Sequence, residues 1–167
     1  MSVFNIDDYG ARTFGLATEA IAAAINAAAA AGGGTVYVPS GVYRTGSIRL
    51  ESNVELRLSP GAVLSFSDDP ELYPAVESRW EGVNREVHAS CIYGSGLENV
   101  SVTGSGKLDG GGPLWWEKAR SKPHELNYPR PKLISFDNCK RVTVKDVTLV
   151  DSTSWTVNPI RCQDVTI

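Results

Sequence analysis

Apolar and polar residues alternate with a period of two over much of the chain, in Thr35-Val36-Tyr37-Val38, Ser47-Ile48-Arg49-Leu50, Asn53-Val54-Glu55-Leu56-Arg57-Leu58 and Ala62-Val63-Leu64-Ser65-Phe66. Alternation of this kind, bounded by Gly, Pro, Ser or Asn, predicts short strands. Pro39-Ser40-Gly41 and Ser59-Pro60-Gly61 supply tight turns between them. One segment has helical spacing instead. Residues 18–31 are rich in alanine, with Ile21 and Ile25 one turn apart, Thr18 placed to cap the first turn, Glu19 inside it and Gly32-Gly33-Gly34 as a stop. Its narrow apolar stripe suits close approach to a flat surface. No second helical pattern is evident after it.

Three later phrases are alike: Asn99-Val100-Ser101-Val102, Arg141-Val142-Thr143-Val144 and Asp164-Val165-Thr166-Ile167. Val142 to Val165 and Cys139 to Cys162 are both 23 positions apart, so strand and thiol repeat together, and a repeat of that size predicts a solenoid. Asp146-Val147-Thr148-Leu149 gives a second strand inside the unit. Val100 to Val142 is 42 positions, too long for one coil, so an inserted loop is expected over about 110–131. Residues 68–88, with Asp68-Asp69-Pro70 and Trp80, read as another. Insertions leave such a stack on one face, where solenoids place binding surfaces. The helix over 18–31 is placed to cover the first coil, and the chain stops at Ile167 within a strand phrase, which predicts an uncapped last coil in one domain of 167 residues.

Composition narrows the function classes. With 42% hydrophobic and 21% charged residues the chain forms a globular core, and a net charge of −3 provides no electrostatic footprint for nucleic acid. No apolar run approaches the roughly 18 residues of a membrane span. Met1-Ser2-Val3-Phe4-Asn5 has no basic or apolar leader region. A native start therefore implies a cytoplasmic chain, and a removed leader a secreted or periplasmic one. Cys91, Cys139 and Cys162 have neither disulfide-framework nor zinc-site spacing and read as buried thiols.

Several phrases, in order, resemble glycoside hydrolase family 28, the polygalacturonases and their relatives. They are Phe4-Asn5-Ile6-Asp7-Asp8-Tyr9-Gly10-Ala11, Gly32-Gly33-Gly34-Thr35-Val36-Tyr37-Val38-Pro39-Ser40-Gly41, and Leu64-Ser65-Phe66-Ser67-Asp68-Asp69-Pro70. Thr103-Gly104-Ser105-Gly106-Lys107-Leu108-Asp109-Gly110, Arg130-Pro131-Lys132-Leu133-Ile134-Ser135-Phe136-Asp137-Asn138-Cys139 and Ser154-Trp155-Thr156-Val157-Asn158-Pro159 follow. The resemblance implies an all-β, right-handed parallel β-helix of the pectin-lyase-like kind, with an N-terminal capping α-helix and truncated at its C-terminal end. It also implies inverting hydrolysis of α-1,4-galacturonosyl linkages in pectin or oligogalacturonides, without cofactor or metal. Inversion needs two carboxyls about 6.5–9.5 Å apart, one to protonate the leaving oxygen and one to activate water. The Asn-Thr-Asp, Asp-Asp, His-Gly and Arg-Ile-Lys phrases that do this work in the family, on coils after the Trp-x-x-x-Pro segment, have no counterpart here, so no catalytic residue is assigned. The chain departs elsewhere too: Arg12 to Thr18 replace a carboxylate-bearing turn, and Asn158 stands where many relatives have histidine.

The remaining candidates are for binding. Trp155 and Asn158 fall in the phrase nearest the family's cleft, and Arg130 and Arg161 could pair with a uronate carboxylate through two parallel hydrogen bonds. Trp115, with Trp116, offers either a sugar-stacking platform or a packing residue. Asp68-Asp69 and Asp109 read as turn residues, and His88 and His124 as structural or surface positions. The sequence is thus expected to be the N-terminal part of a polygalacturonase-like hydrolase, inactive alone. The alternative is a non-catalytic carbohydrate-binding or assembly module that pairs with a second copy through its uncapped coil. A calcium-dependent lyase would need grouped carboxylates, which the sequence does not group.

Overall fold

The computed structural model describes residues 2–167. Strand β1 (Val3–Asn5) and helix α1 (Thr18–Ala30) precede a first coil of β2 (Gly34–Val38), β3 (Gly41–Thr45) and β4 (Ile48–Arg49). The second coil holds β5 (Val54–Leu58), β6 (Ala62–Phe66), an outlying hairpin of β7 (Ala75–Trp80) and β8 (Val83–His88), and β9 (Ile92–Ser95). The third has β10 (Glu98–Gly104), β11 (Lys107–Asp109), helix α2 (Gly112–Ser121) and β12 (Ile134–Asp137). The fourth has β13 (Lys140–Lys145), β14 (Thr148–Val150) and β15 (Val157–Ile160), and β16 (Gln163–Thr166) follows. Apart from the β7–β8 hairpin, strands pair in parallel with equivalents in neighbouring coils, into sheets ordered β1-β2-β5-β10-β13-β16, β14-β11-β6-β3 and β15-β12-β9-β4. This is a right-handed parallel β-helix.

Register explains the core. One side chain in two points inward, and in-register pairing stacks these into columns: Val36, Leu56, Val102 and Val144 in the first sheet, Ile48, Ile92, Ile134 and Val157 in the third. Each fully buried side chain of this size contributes about 1.5–3 kcal/mol. The repeated phrases sit in this stack, with Val100 on Val142 and Val142 on Val165. The residue before each valine turns the corner with positive φ: Asn99 at 56°, Arg141 at 56° and Asp164 at 54°, with Asn53 at 63° one coil earlier. Asparagine and aspartate tolerate this conformation, and Asn99 Nδ2 donates to Asn53 Oδ1 at 3.3 Å. Gly33 precedes the first coil's strand with φ +126°, and a Cβ there would lie 2.6 Å from the Asn53 carbonyl oxygen.

Helix α1 lays Ile21, Ala24, Ile25 and Ala28, all buried, against the first coils. It ends as the glycines predict, with Gly32 and Gly33 N–H donating to the Ala29 and Ala28 carbonyls. Its start differs from expectation. Thr18 is not a cap: its Oγ1 accepts from Gly46 N–H at 2.7 Å, so the hydroxyl satisfies a corner of the first coil, and Ala17 holds the cap position without a side-chain bond.

A second difference is helix α2, which the pattern did not predict. Gly111, at φ 64°, leads into it and Pro113 lies in its first turn, where no N–H partner is needed. Only Gly112 and Trp115 of this helix are buried, so it has no apolar stripe to betray it. The segment 68–88 carries the antiparallel hairpin, closed by Glu81 (φ 48°) and Gly82 (φ 84°) between the paired Trp80 and Val83. Both positive dihedrals mark the primed turn that matches strand twist. Hairpin and α2 leave the stack at one corner, between the second and third sheets, where the first coil needs only Gly46-Ser47. No helix among the described residues is long and apolar enough to cross a membrane.

Candidate functional site

The hairpin stands beside the outward face of the third sheet, where the alternate residues Arg49, Tyr93, Ser135 and Asn158 form a column. A cleft of about 360 Å³ runs between them, bordered by Glu77 and Ser78 of the hairpin and by Arg49, Tyr93, Ser135 and Asp137 of the sheet. At the fourth coil, a cavity of about 220 Å³ is lined by Arg79, Glu81, Lys132, Trp155, Asn158 and Ile160. Glu81 and Trp155 also border a depression of about 270 Å³ with Trp80, Arg130 and Ser154.

Three of the five candidates therefore meet here. Trp155, on the six-residue link between β14 and β15, stays 42% exposed, and its ring meets Trp80 edge-on with centroids 4.7 Å apart. Asn158 is held by Lys132, whose Nζ donates to its Oδ1 at 2.9 Å. Arg130 borders the depression and has no ion-pair partner among the described residues. Ser154 and Thr153 Oγ both donate to the Pro131 carbonyl, fixing the link that carries Trp155.

The other two are placed elsewhere. Trp115 is fully buried, with its Nε1 donating to the Ser67 carbonyl at 3.4 Å and its ring edge-on to Tyr73 at 5.3 Å. It anchors α2 to the corner and has no face for a sugar. Trp116 remains 42% exposed, but its Nε1 bonds the Ser152 and Thr153 carbonyls and ties α2 to the fourth coil. Arg161 lines none of the three recesses and is clamped by Asp137, Nε to Oδ1 at 2.9 Å and Nη2 to Oδ2 at 2.5 Å. Its fork is filled by an internal carboxylate, which also holds its pKa above the ordinary value, so it is not available for a uronate.

The acidic and histidine positions serve the framework. Asp69 Oδ1 accepts from Glu71 N–H at 3.0 Å and caps a short helical turn, Asp109 Oδ1 accepts from Gly111 N–H at 3.1 Å, and Asp68 pairs with Lys118 at 3.3 Å. His88 is buried with Nδ1 3.0 Å from the Pro129 carbonyl and its ring edge-on to Tyr128; burial pushes its pKa down. No group of three or more His, Cys, Asp or Glu residues is arranged to hold a metal among the described residues.

Lys132 and Trp80 are the site residues that sequence reasoning passed over. Lys132 is only 3% exposed, yet its Nζ lies 5.7 Å from the Trp155 ring centroid and donates to the Arg79 carbonyl at 2.7 Å. Burial pushes its ammonium pKa down, and the nearby Asp137 charge opposes the shift. The available signal was a lysine immediately before the apolar run Leu133-Ile134. Together the recesses bring aromatic rings, an amide, hydroxyls and four cations, Arg49, Arg79, Arg130 and Lys132, beside the carboxylates Glu77, Glu81 and Asp137.

Residues 33–167 match the family described as Glycosyl hydrolases family 28, and residues 3–60 match that described as Rhamnogalacturonase A/epimerase, pectate lyase-like. The chain is 32% identical over 148 residues to an exo-poly-alpha-D-galacturonosidase of Dickeya chrysanthemi, covering 83% of this chain and 24% of that protein. It is 27% identical to an exopolygalacturonase of Platanus acerifolia, over 99% of this chain and 41% of the relative. The crystal structure of a hyperthermoactive exopolygalacturonase from Thermotoga maritima superimposes with a TM-score of 0.88 at 30% identity, over 98% of this chain and 45% of that one. The chain thus spans less than half the length of these relatives, and across that span its sequence and its coils place it in glycosyl hydrolases family 28.

Proposed function

We propose that this chain supplies the first coils and one wall of the substrate cleft of a polygalacturonase-like hydrolase, and that the reacting carboxyls come from residues outside these 167. The reading is carried by one observation: in a family 28 chain, Trp155, Asn158 and Arg130 converge beside the hairpin on the third sheet's outward face. Within that face Asp137 is already engaged by Arg161, and Glu77 and Glu81 are exposed hairpin residues. The wall binds and orients an acidic sugar chain: the Trp155 ring packs against a sugar face, and cations attract uronate carboxylates. The 167-residue chain is expected to bind oligogalacturonides and to release no reducing ends from polygalacturonate. Turnover that persists through repurification, measured by a reducing-end assay, would show that the chain contains its own acid and base.

A further inference from the structure

We propose that Lys132 is the residue of this wall that reads the sugar's carboxylate, giving the cavity at the fourth coil its preference for a uronate over the neutral sugar. The proposal rests on the reading of the cleft as a galacturonan site and assigns a role within it.

The argument begins with the cost of the lysine. A lysine that is only 3% exposed normally faces a carboxylate, because an unpaired buried charge is destabilising. Lys132 has no such partner: its two hydrogen bonds go to neutral oxygens, the Arg79 carbonyl and Asn158 Oδ1, and no ion pair to it is formed among the described residues. An ammonium has three N–H donors, so one is left over, on a residue that lines the cavity beside Trp155. Two neutral acceptors and the face of the Trp155 ring hold the charge in place without cancelling it.

Other charges nearby are less suited. Arg161 is filled by Asp137. Arg79 and Arg130 border the recesses and form no ion pair among the described residues; Arg79 is exposed and Arg130 half-buried, so water screens both more than it screens Lys132. Glu81, at the hairpin turn, borders the same cavity with the opposite sign and works against an anion. Burial pushes the ammonium's pKa down, and Asp137, on β12, attracts the ammonium from beyond the cavity and opposes that shift. A carboxylate entering beside Trp155 would give Lys132 a charge-assisted hydrogen bond in a shielded setting, where such a bond is stronger than in water.

The test is calorimetric titration of the 167-residue chain with α-1,4-trigalacturonate and with neutral α-1,4-galactotriose. Wild-type chain should prefer the acid by about tenfold or more, in line with a hydrogen bond to a charged group. Lys132→Met should bring the ratio near one even as the loss of its bonds to Asn158 and the hairpin weakens both sugars, Lys132→Arg should keep part of the ratio, and Trp155→Ala should weaken both sugars with the ratio kept. An unchanged ratio in Lys132→Met, or a ratio lost in Arg130→Gln instead, would overturn the proposal. If Lys132→Met does not fold, the wild-type ratio is followed with pH: it should decline as pH rises through a lysine pKa held below 10.5, and a flat ratio up to that pH overturns the assignment. Binding of both sugars with equal affinity by wild type leaves the cleft reading standing and removes Lys132, whereas binding of neither removes both.

Discussion

Leu56 and Trp80 show how differently two parts of this molecule are held. Leu56 is fully buried in a column, with Val36 on one side and Val102 on the other, and its strand pairs with a strand of each neighbouring coil. Trp80 ends a two-stranded hairpin whose outward residues, from Val83 to Glu86, are exposed, and what fastens its tip is the Trp155 ring and one Lys132 hydrogen bond to Arg79. Coils are secured by repetition, whereas insertions are secured by single contacts. The cleft lies where the two meet, so its floor is rigid and one wall depends on a few side chains.

The largest effect should come from the repetitive part. Leu56→Ala removes one rung of a column that cannot collapse without moving two coils, and about 2–5 kcal/mol of stability should be lost in urea unfolding. A loss below about 1 kcal/mol would mean the columns are not where the stability lies. Trp80→Ala should do the reverse. Amide exchange should quicken in β7 and β8 with little change in the coils, and oligogalacturonide binding should weaken; equal loss of protection in β5 and β10 would erase the contrast drawn here.

The smallest effect concerns His88, at the base of the hairpin. Burial holds its pKa below the ordinary 6.5, so the unfolded chain takes up the proton first. Stability attributable to this group is complete above about 6.5 and is lost as pH falls through the folded value. His88→Gln should flatten stability against pH in that window. Identical slopes for the two chains would show that the imidazole is not desolvated on folding.

The coils were legible because their signal is periodic. Alternation marked the strands, and the recurring valine phrases marked the register, down to Val100, Val142 and Val165 in one stack. The insertions follow no period. Helix α2 hides behind Gly110-Gly111-Gly112-Pro113, which reads as a turn, and it buries one large side chain where a detectable helix would bury a stripe. The Trp80–Trp155 contact joins residues 75 positions apart with no repeat to connect them. Arg161 was different: a 23-residue step from Asn138 places it beside Asp137, so its pairing was present in the repeat and could have been read from it. Lys132 gave a weaker signal, its place immediately before the apolar run Leu133-Ile134, which has no period of its own to mark the lysine as buried.

The outward column Arg49, Tyr93, Ser135 and Asn158 has a consequence of scale. Neighbouring strands are about 4.8 Å apart, so these four side chains mark positions along a line of about 14 Å. They come from distant parts of the sequence, yet they are graduated like a ruler whose divisions are fixed by backbone hydrogen bonds. Exchanging one of them alters what is read at a single division and leaves the spacing of the others untouched.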